Sequence, residues 1–304
     1  MKVNHTGLIV AVLLLALTVP AADKKPDFRN LYEAKTFGDL NYRLMPPIEL
    51  TDNTGKKYPL ILSLHGAGGR GSNNKKNLRD WNGYLAEESL RRKHPCYVLA
   101  PQVRSGSWRM PKSWPDLKDE DFSPAWDKLR VKLVQNKMST QGNLDQVFKL
   151  IDQMITSGQV DANRVYVIGH SLGGFGSWTA LHWGPHRFAA AIPCAGGLYP
   201  LFDVTKFAHV PVWAFHGSKD TSVVSPALTQ EAFDKMKAVN GNMKYTILKD
   251  VGHGAAPSAF RYKGDSPEKG FITHYSSDKC DKTSDVWDWL FAQKRAERPI
   301  VPAK

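Results

Sequence analysis

Three side chains in this sequence have the types and surroundings needed to turn a hydroxyl into a nucleophile. Ser171 is centred in Gly169-His170-Ser171-Leu172-Gly173. The apolar, β-branched run Val165-Tyr166-Val167-Ile168 before it reads as a buried strand, and the residues from Gly174 to His182 pack as a helix. A G-x-S-x-G between a strand and a helix is a nucleophile elbow, a sharp strained turn that exposes the serine hydroxyl. Gly169 and Gly173 leave room there for the neighbouring strand and helix. A serine at that point also suits a helix N-cap. A serine hydroxyl alone is a poor nucleophile and needs a base and a group that orients the base. His253 lies between two glycines in Asp250-Val251-Gly252-His253-Gly254, directly after an expected strand over 243–248. Histidine is the side chain that ordinarily exchanges protons near neutrality. Asp220 follows Val212-Trp213-Ala214-Phe215-His216-Gly217-Ser218-Lys219, beyond another buried strand, where a carboxylate can hold a histidine in one tautomer. Asp250 is the rival acid, although it would have to bend back on its own loop. His274 is the rival base.

A reacting carbonyl also needs donors for its developing oxyanion. His65-Gly66-Ala67-Gly68-Gly69 ends an expected strand over 58–65, and its glycines free the loop to turn amides inward. The backbone N–H groups of Ala67 and Leu172 are the expected donors. His65, His170 and His216 also fall at strand ends and read as packing and hydrogen-bonding residues, with His65 and His170 as tentative pocket-lining groups.

These candidates follow strands that alternate with helices. Further strands are expected over 97–101, 189–194 and 210–215, and a hairpin-like pair of edge strands within 37–50. Helices are expected over 77–92, 144–157, 226–239 and 284–294. Such alternation implies an α/β fold, a mostly parallel central sheet with helices on both faces, whose ligands bind at the C-terminal strand ends.

The first 22 residues read as a secretory signal peptide: Lys2 and His5, an apolar stretch over 8–19, then Val19-Pro20-Ala21-Ala22. About a dozen apolar residues is short for a bilayer span, although an uncleaved anchor is the alternative. The expectation is a secreted or periplasmic protein without a stable membrane anchor after cleavage, with 23–304 as one domain. The formal net charge is +12 over 304 residues, and removal of Lys2 with the signal leaves +11. Lys and Arg are scattered and no nucleic-acid motif is present, so the charge reads as a solvated basic surface or as attraction to anionic polymers. Three cysteines, Cys96, Cys194 and Cys280, allow at most one disulfide, and a Cys96–Cys280 pair stays open. None forms a C-x-x-C pair, so no metal site is signalled.

Several segments together resemble the secreted carboxylesterases of the α/β-hydrolase superfamily. They are Leu62-Ser63-Leu64-His65-Gly66-Ala67-Gly68-Gly69-Arg70-Gly71, Leu99-Ala100-Pro101-Gln102, Val165 to Gly174, and His216-Gly217-Ser218-Lys219-Asp220. The group includes polyhydroxybutyrate-depolymerase-like, feruloyl and acetyl-xylan esterases and is distantly similar to prolyl-oligopeptidase catalytic domains. The order Ser171, Asp220, His253 is the order of α/β-hydrolases. The resemblance implies an α/β-hydrolase fold, this triad, an acyl-serine intermediate and no cofactor. Segments 103–142 and 254–283 are longer than bare connections and are expected over the rim of the site. The first holds Trp108, Trp114 and Trp126 with Arg104, Arg109 and Lys112. Its tryptophans would stack on sugar or phenolic rings, or else anchor the loop, and Trp108 is the expected pocket wall. Acetyl or feruloyl esters on polysaccharide are the expected substrates. A serine peptidase and a non-catalytic polysaccharide-binding protein are the alternatives.

Overall fold

In a computed structural model of the chain, the described residues are 27–48, 55–108, 118–130 and 143–295, together with Met1. Apart from Met1, the expected signal peptide lies outside them, as do Arg109, Lys112 and Trp114. Nine strands form one sheet in the order β1-β2-β4-β3-β5-β6-β7-β8-β9. They are β1 (Glu33–Phe37), β2 (Leu40–Met45), β3 (Tyr58–Leu64), β4 (Tyr97–Gln102), β5 (Val160–His170), β6 (Ala190–Cys194), β7 (Val212–Gly217), β8 (Met243–Leu248) and β9 (Phe271–Tyr275). The six strands from β4 to β8 run parallel, while β1, β2 and β9 are antiparallel at the two margins.

Both faces of the sheet are covered, which is why its central strands read as continuous apolar runs rather than alternating ones. Leu60, Leu62 and Leu64 of β3 and Val165 and Val167 of β5 join one core with α3 (Leu144–Thr156), α4 (Leu172–Trp183) and α5 (Ala227–Ala238). Ile61, Tyr166, Ile168, Trp213 and Phe215 join the other with α1 (Asp80–Leu85), α6 (Ala256–Ala259) and α7 (Val286–Ala292). On α3 the apolar spacing buries Val147, Leu150, Ile151 and Met154 against the sheet.

Four details differ from the sequence expectations. The helix expected over 77–92 is two, α1 and α2 (Glu88–Lys93), because Glu87 adopts extended backbone between them. The closing helix is shorter, Val286–Ala292. Part of the segment 254–283 leaves the rim and adds β9 to the far edge of the sheet, pairing antiparallel with β8. Cys96, Cys194 and Cys280 are all free and buried, so the Cys96–Cys280 pair is not formed.

Candidate active site

The elbow is built by backbone crowding. Ser171 joins β5 to α4 at φ +57°, ψ −119°, a conformation costly for a residue with a Cβ. Its N–H donates to the Cys194 carbonyl at 2.9 Å, and its hydroxyl makes no capping bond to α4. A Cβ on Gly169 would lie 2.4 Å from the Gly173 carbonyl oxygen, and one on Gly173 would lie 1.9 Å from that of Leu64. Only glycine lets the helix start this close to β3 and β5.

The freed hydroxyl points at a histidine. Ser171 Oγ lies 2.8 Å from His253 Nε2, and His253 Nδ1–H donates to Asp220 Oδ2 at 2.6 Å. His253 follows β8 and Asp220 follows β7, so residues 82 and 33 positions apart converge at the C-terminal edge of the sheet. Asp220 is fully buried. Burial alone would raise its pKa, but hydrogen bonds from His216, His253 and the Val224 N–H outweigh this and hold the carboxyl below the usual range. A buried carboxylate facing Nδ1 selects the tautomer whose Nε2 can accept the serine proton.

The loop after β3 closes the other side. A Cβ on Gly66 would lie 3.5 Å from Ser171 Cβ, so this loop runs beside the hydroxyl. Ala67, an exposed residue, opens a short 3-10 turn, Ala67–Gly69. Leu172 is the first residue of α4, where an N–H has no acceptor within the helix.

Against this geometry stand the relatives. Residues 49–262 match the phospholipase/carboxylesterase family of α/β-hydrolases. The chain belongs to this family. It is 26% identical over 230 residues to a bifunctional acetylxylan esterase/xylanase of Neocallimastix patriciarum, covering 69% of this chain and 28% of that protein. It is 24% identical over 196 residues to poly(3-hydroxyalkanoate) depolymerase C of Paucimonas lemoignei, covering 64% of this chain and 42% of that one. The chain thus spans less than half the length of these curated relatives. A thermostable esterase of known structure superimposes with a TM-score of 0.65 at 27% identity, over 88% of this chain and 64% of the other. The fold of the chain is that of the α/β-hydrolases.

Two of the tentative pocket residues, His65 and Trp108, are buried within the fold. His65 is 1% exposed; its Nδ1–H donates to the Gly66 carbonyl at 2.7 Å and its Nε2 accepts from the Val103 N–H at 3.1 Å. Burial lowers its pKa to about 4, so the ring is a neutral strut beneath the loop. Trp108, the expected pocket wall, is also 1% exposed. Its Nε1–H donates to the His65 carbonyl at 3.0 Å and its ring packs where Gly176 leaves space, so it presents no face to a ligand. Trp126 packs on Tyr199 and Phe175, anchoring the segment that carries it. Arg104 is exposed. His170 is half-buried, with Nε2–H donating to the His253 carbonyl at 2.6 Å and its ring centroid 4.9 Å from that of His253. Burial lowers its pKa to about 4 as well. Of the rivals, Asp250 is exposed and paired with Lys219, and His274 sits on β9. Among the described residues no cluster of three or more His, Cys, Asp or Glu could hold a metal ion, and no helix is long and apolar enough to cross a membrane. His216 is the buried, hydrogen-bonding residue expected, and one of its partners, not foreseen, is Asp220 at 3.2 Å; the signal was the i,i+4 spacing within His216-Gly217-Ser218-Lys219-Asp220.

Proposed function

We propose that this protein is a carboxylesterase working by a serine mechanism, with Ser171 as nucleophile, His253 as general base and acid, and Asp220 as the orienting carboxylate. The observation that carries the reading is the unbroken hydrogen-bonded chain Ser171 Oγ, His253, Asp220, at 2.8 and 2.6 Å. His253 Nε2 takes the hydroxyl proton as Oγ attacks the ester carbonyl. The Ala67 and Leu172 N–H groups hold the oxyanion, each such donor being worth about 10²–10³ in rate. The tetrahedral intermediate expels the alcohol, which receives the proton from His253. Water, deprotonated by the same ring, then cleaves acyl-Ser171 to release the acid and restore the hydroxyl.

The substrate class is an ester borne on polysaccharide, acetyl or feruloyl. Similarity to an acetylxylan esterase/xylanase supports it. Export guided by residues 1–22 would bring the enzyme to such polymers, and N-terminal sequencing of the mature protein checks that cleavage. Release of acetate or ferulate from decorated xylan by the wild type, and not by Ser171→Ala, is the expected result. Turnover of long-chain lipid esters alone removes the polysaccharide assignment. Failure of a fluorophosphonate to label Ser171 removes the serine mechanism.

A further inference from the structure

Asp220 is held by two histidines, and the second one does not face the substrate. His216, the penultimate residue of β7, is completely buried. Its Nε2 lies 3.2 Å from Asp220 Oδ2 and 3.1 Å from the Val224 carbonyl oxygen. Neither partner can donate while Asp220 is ionised, so Nε2 carries a hydrogen whatever the state of the rest of the ring. On the far side, Nδ1 lies 2.7 Å from Thr229 Oγ1, which is 2.9 Å from the Gly196 carbonyl. The imidazole is thus clamped between α5 and the turn after β7. Asp220 Oδ2 receives N–H groups from both His253 and His216, while Oδ1 receives the Val224 N–H at 3.1 Å. Two further titratable groups feel the charge of Asp220: the Cys194 thiol, kept protonated by burial and by that charge, and His170, which burial keeps neutral.

We propose that His216 is a positioning residue for the acid of the triad, which rests on the reading of Asp220 as that acid. Its first task is to hold the carboxylate plane so that Oδ2 faces His253 Nδ1. Its second is to share the charge on Oδ2. An oxygen with two donors attracts the His253 proton less than an oxygen with one, so the imidazolium formed during attack returns its proton to the leaving alcohol more readily. Removal of the His216 bond therefore has a signed consequence. Oδ2 becomes a stronger acceptor for His253, the imidazolium is stabilised, and the acid limb of kcat/KM moves to higher pH. Loss of the fixed carboxylate plane lowers kcat while leaving substrate binding alone.

Two polar replacements separate this role from bulk packing. In His216→Gln the side-chain amide nitrogen reaches the place of Nε2 and still donates to Asp220. In His216→Asn it reaches only the place of Nδ1, toward Thr229. Both are assayed with 4-nitrophenyl acetate across the pH range in which circular dichroism reports an intact fold, and scored per fluorophosphonate-reactive molecule. The expected result is a fall in kcat of about 10- to 100-fold for His216→Asn with KM within about twofold. Its acid limb rises by about half a pH unit, and His216→Gln recovers most of both. Equal kcat in the two variants with an unmoved limb overturns the role, as does wild-type turnover per labelled molecule in His216→Asn. Thr229→Val, which frees the far side of the ring, shifts the limb the same way by less. An unmoved limb there, should the asparagine variant not fold, also overturns it. Activity retained by Ser171→Ala would instead remove the serine reading itself and is scored separately.

Discussion

The two halves of the candidate site are held in place by different physics. The elbow half, at the ends of β3 and β5, is positioned by backbone packed against backbone: Gly173 against Leu64, Gly169 against α4, Gly66 beside Ser171. The acid–base half, after β7 and β8, is positioned by hydrogen bonds between buried side chains: Asp220 with His216, His253 and Val224. The first kind of site fails when anything is added, because a methyl has nowhere to go. The second fails when a donor is removed, because a buried carboxylate loses part of the hydrogen bonding that fixes it.

The largest effect tests the chemistry that both halves serve: Ser171→Ala is expected to lower kcat by about a millionfold, read by ester hydrolysis with circular dichroism as the control. Asp220→Asn presents an amide where His253 needs an acceptor and should lower kcat by about 10⁴ while the protein stays folded. A loss under tenfold would show that the acid–base half does not depend on its carboxylate. Gly173→Ala sharpens the contrast from the other side. Its Cβ would land 1.9 Å from a carbonyl oxygen of β3, so about 3 kcal/mol of stability and about 10 °C in Tm should disappear along with activity. A wild-type Tm by differential scanning calorimetry would break the distinction between the halves. His170→Phe removes the bond from the elbow to the His253 carbonyl, and kcat should fall by about tenfold with little change in Tm.

The smallest effect is a pH dependence of stability. Burial holds His65 and His170 near pKa 4, well below the ordinary histidine value. The unfolded chain therefore takes up their protons first as pH falls. Their contribution to stability is complete above about pH 6.5 and is lost progressively as pH drops toward about 4. The urea midpoint should decline across that window, and the decline should be shallower in His170→Phe.

Much of this was legible in the amino-acid sequence because strands covered on both faces declare themselves as apolar runs. Chemistry-bearing residues placed just beyond such runs must gather along one edge. That placement, with their order in the chain, is what singles out Ser171, Asp220 and His253, and the structure brings the three into hydrogen-bonding contact. β9 escaped notice because Phe271-Ile272-Thr273-His274-Tyr275 is an edge strand that buries only Thr273, leaving no apolar run to see. Trp108 misled for a different reason. An indole in a long loop reads the same whether it faces a sugar or fills the space beside Gly176, and only the packing tells them apart. The glycine at the middle of α1, where a Cβ would meet the Phe28 ring at 3.2 Å, likewise speaks only once its distant neighbour is known.

A Cβ on Gly217 would strike the Val251 carbonyl at 2.3 Å, Lys219 N–H donates to that same carbonyl, and Asp250 N–H donates to Ser218 Oγ. The two turns that carry Asp220 and His253 are therefore stitched into one slab. In amide hydrogen exchange Lys219 and Val251 should open together, as one cooperative unit. Lengthening either turn by a single residue would displace both side chains at once.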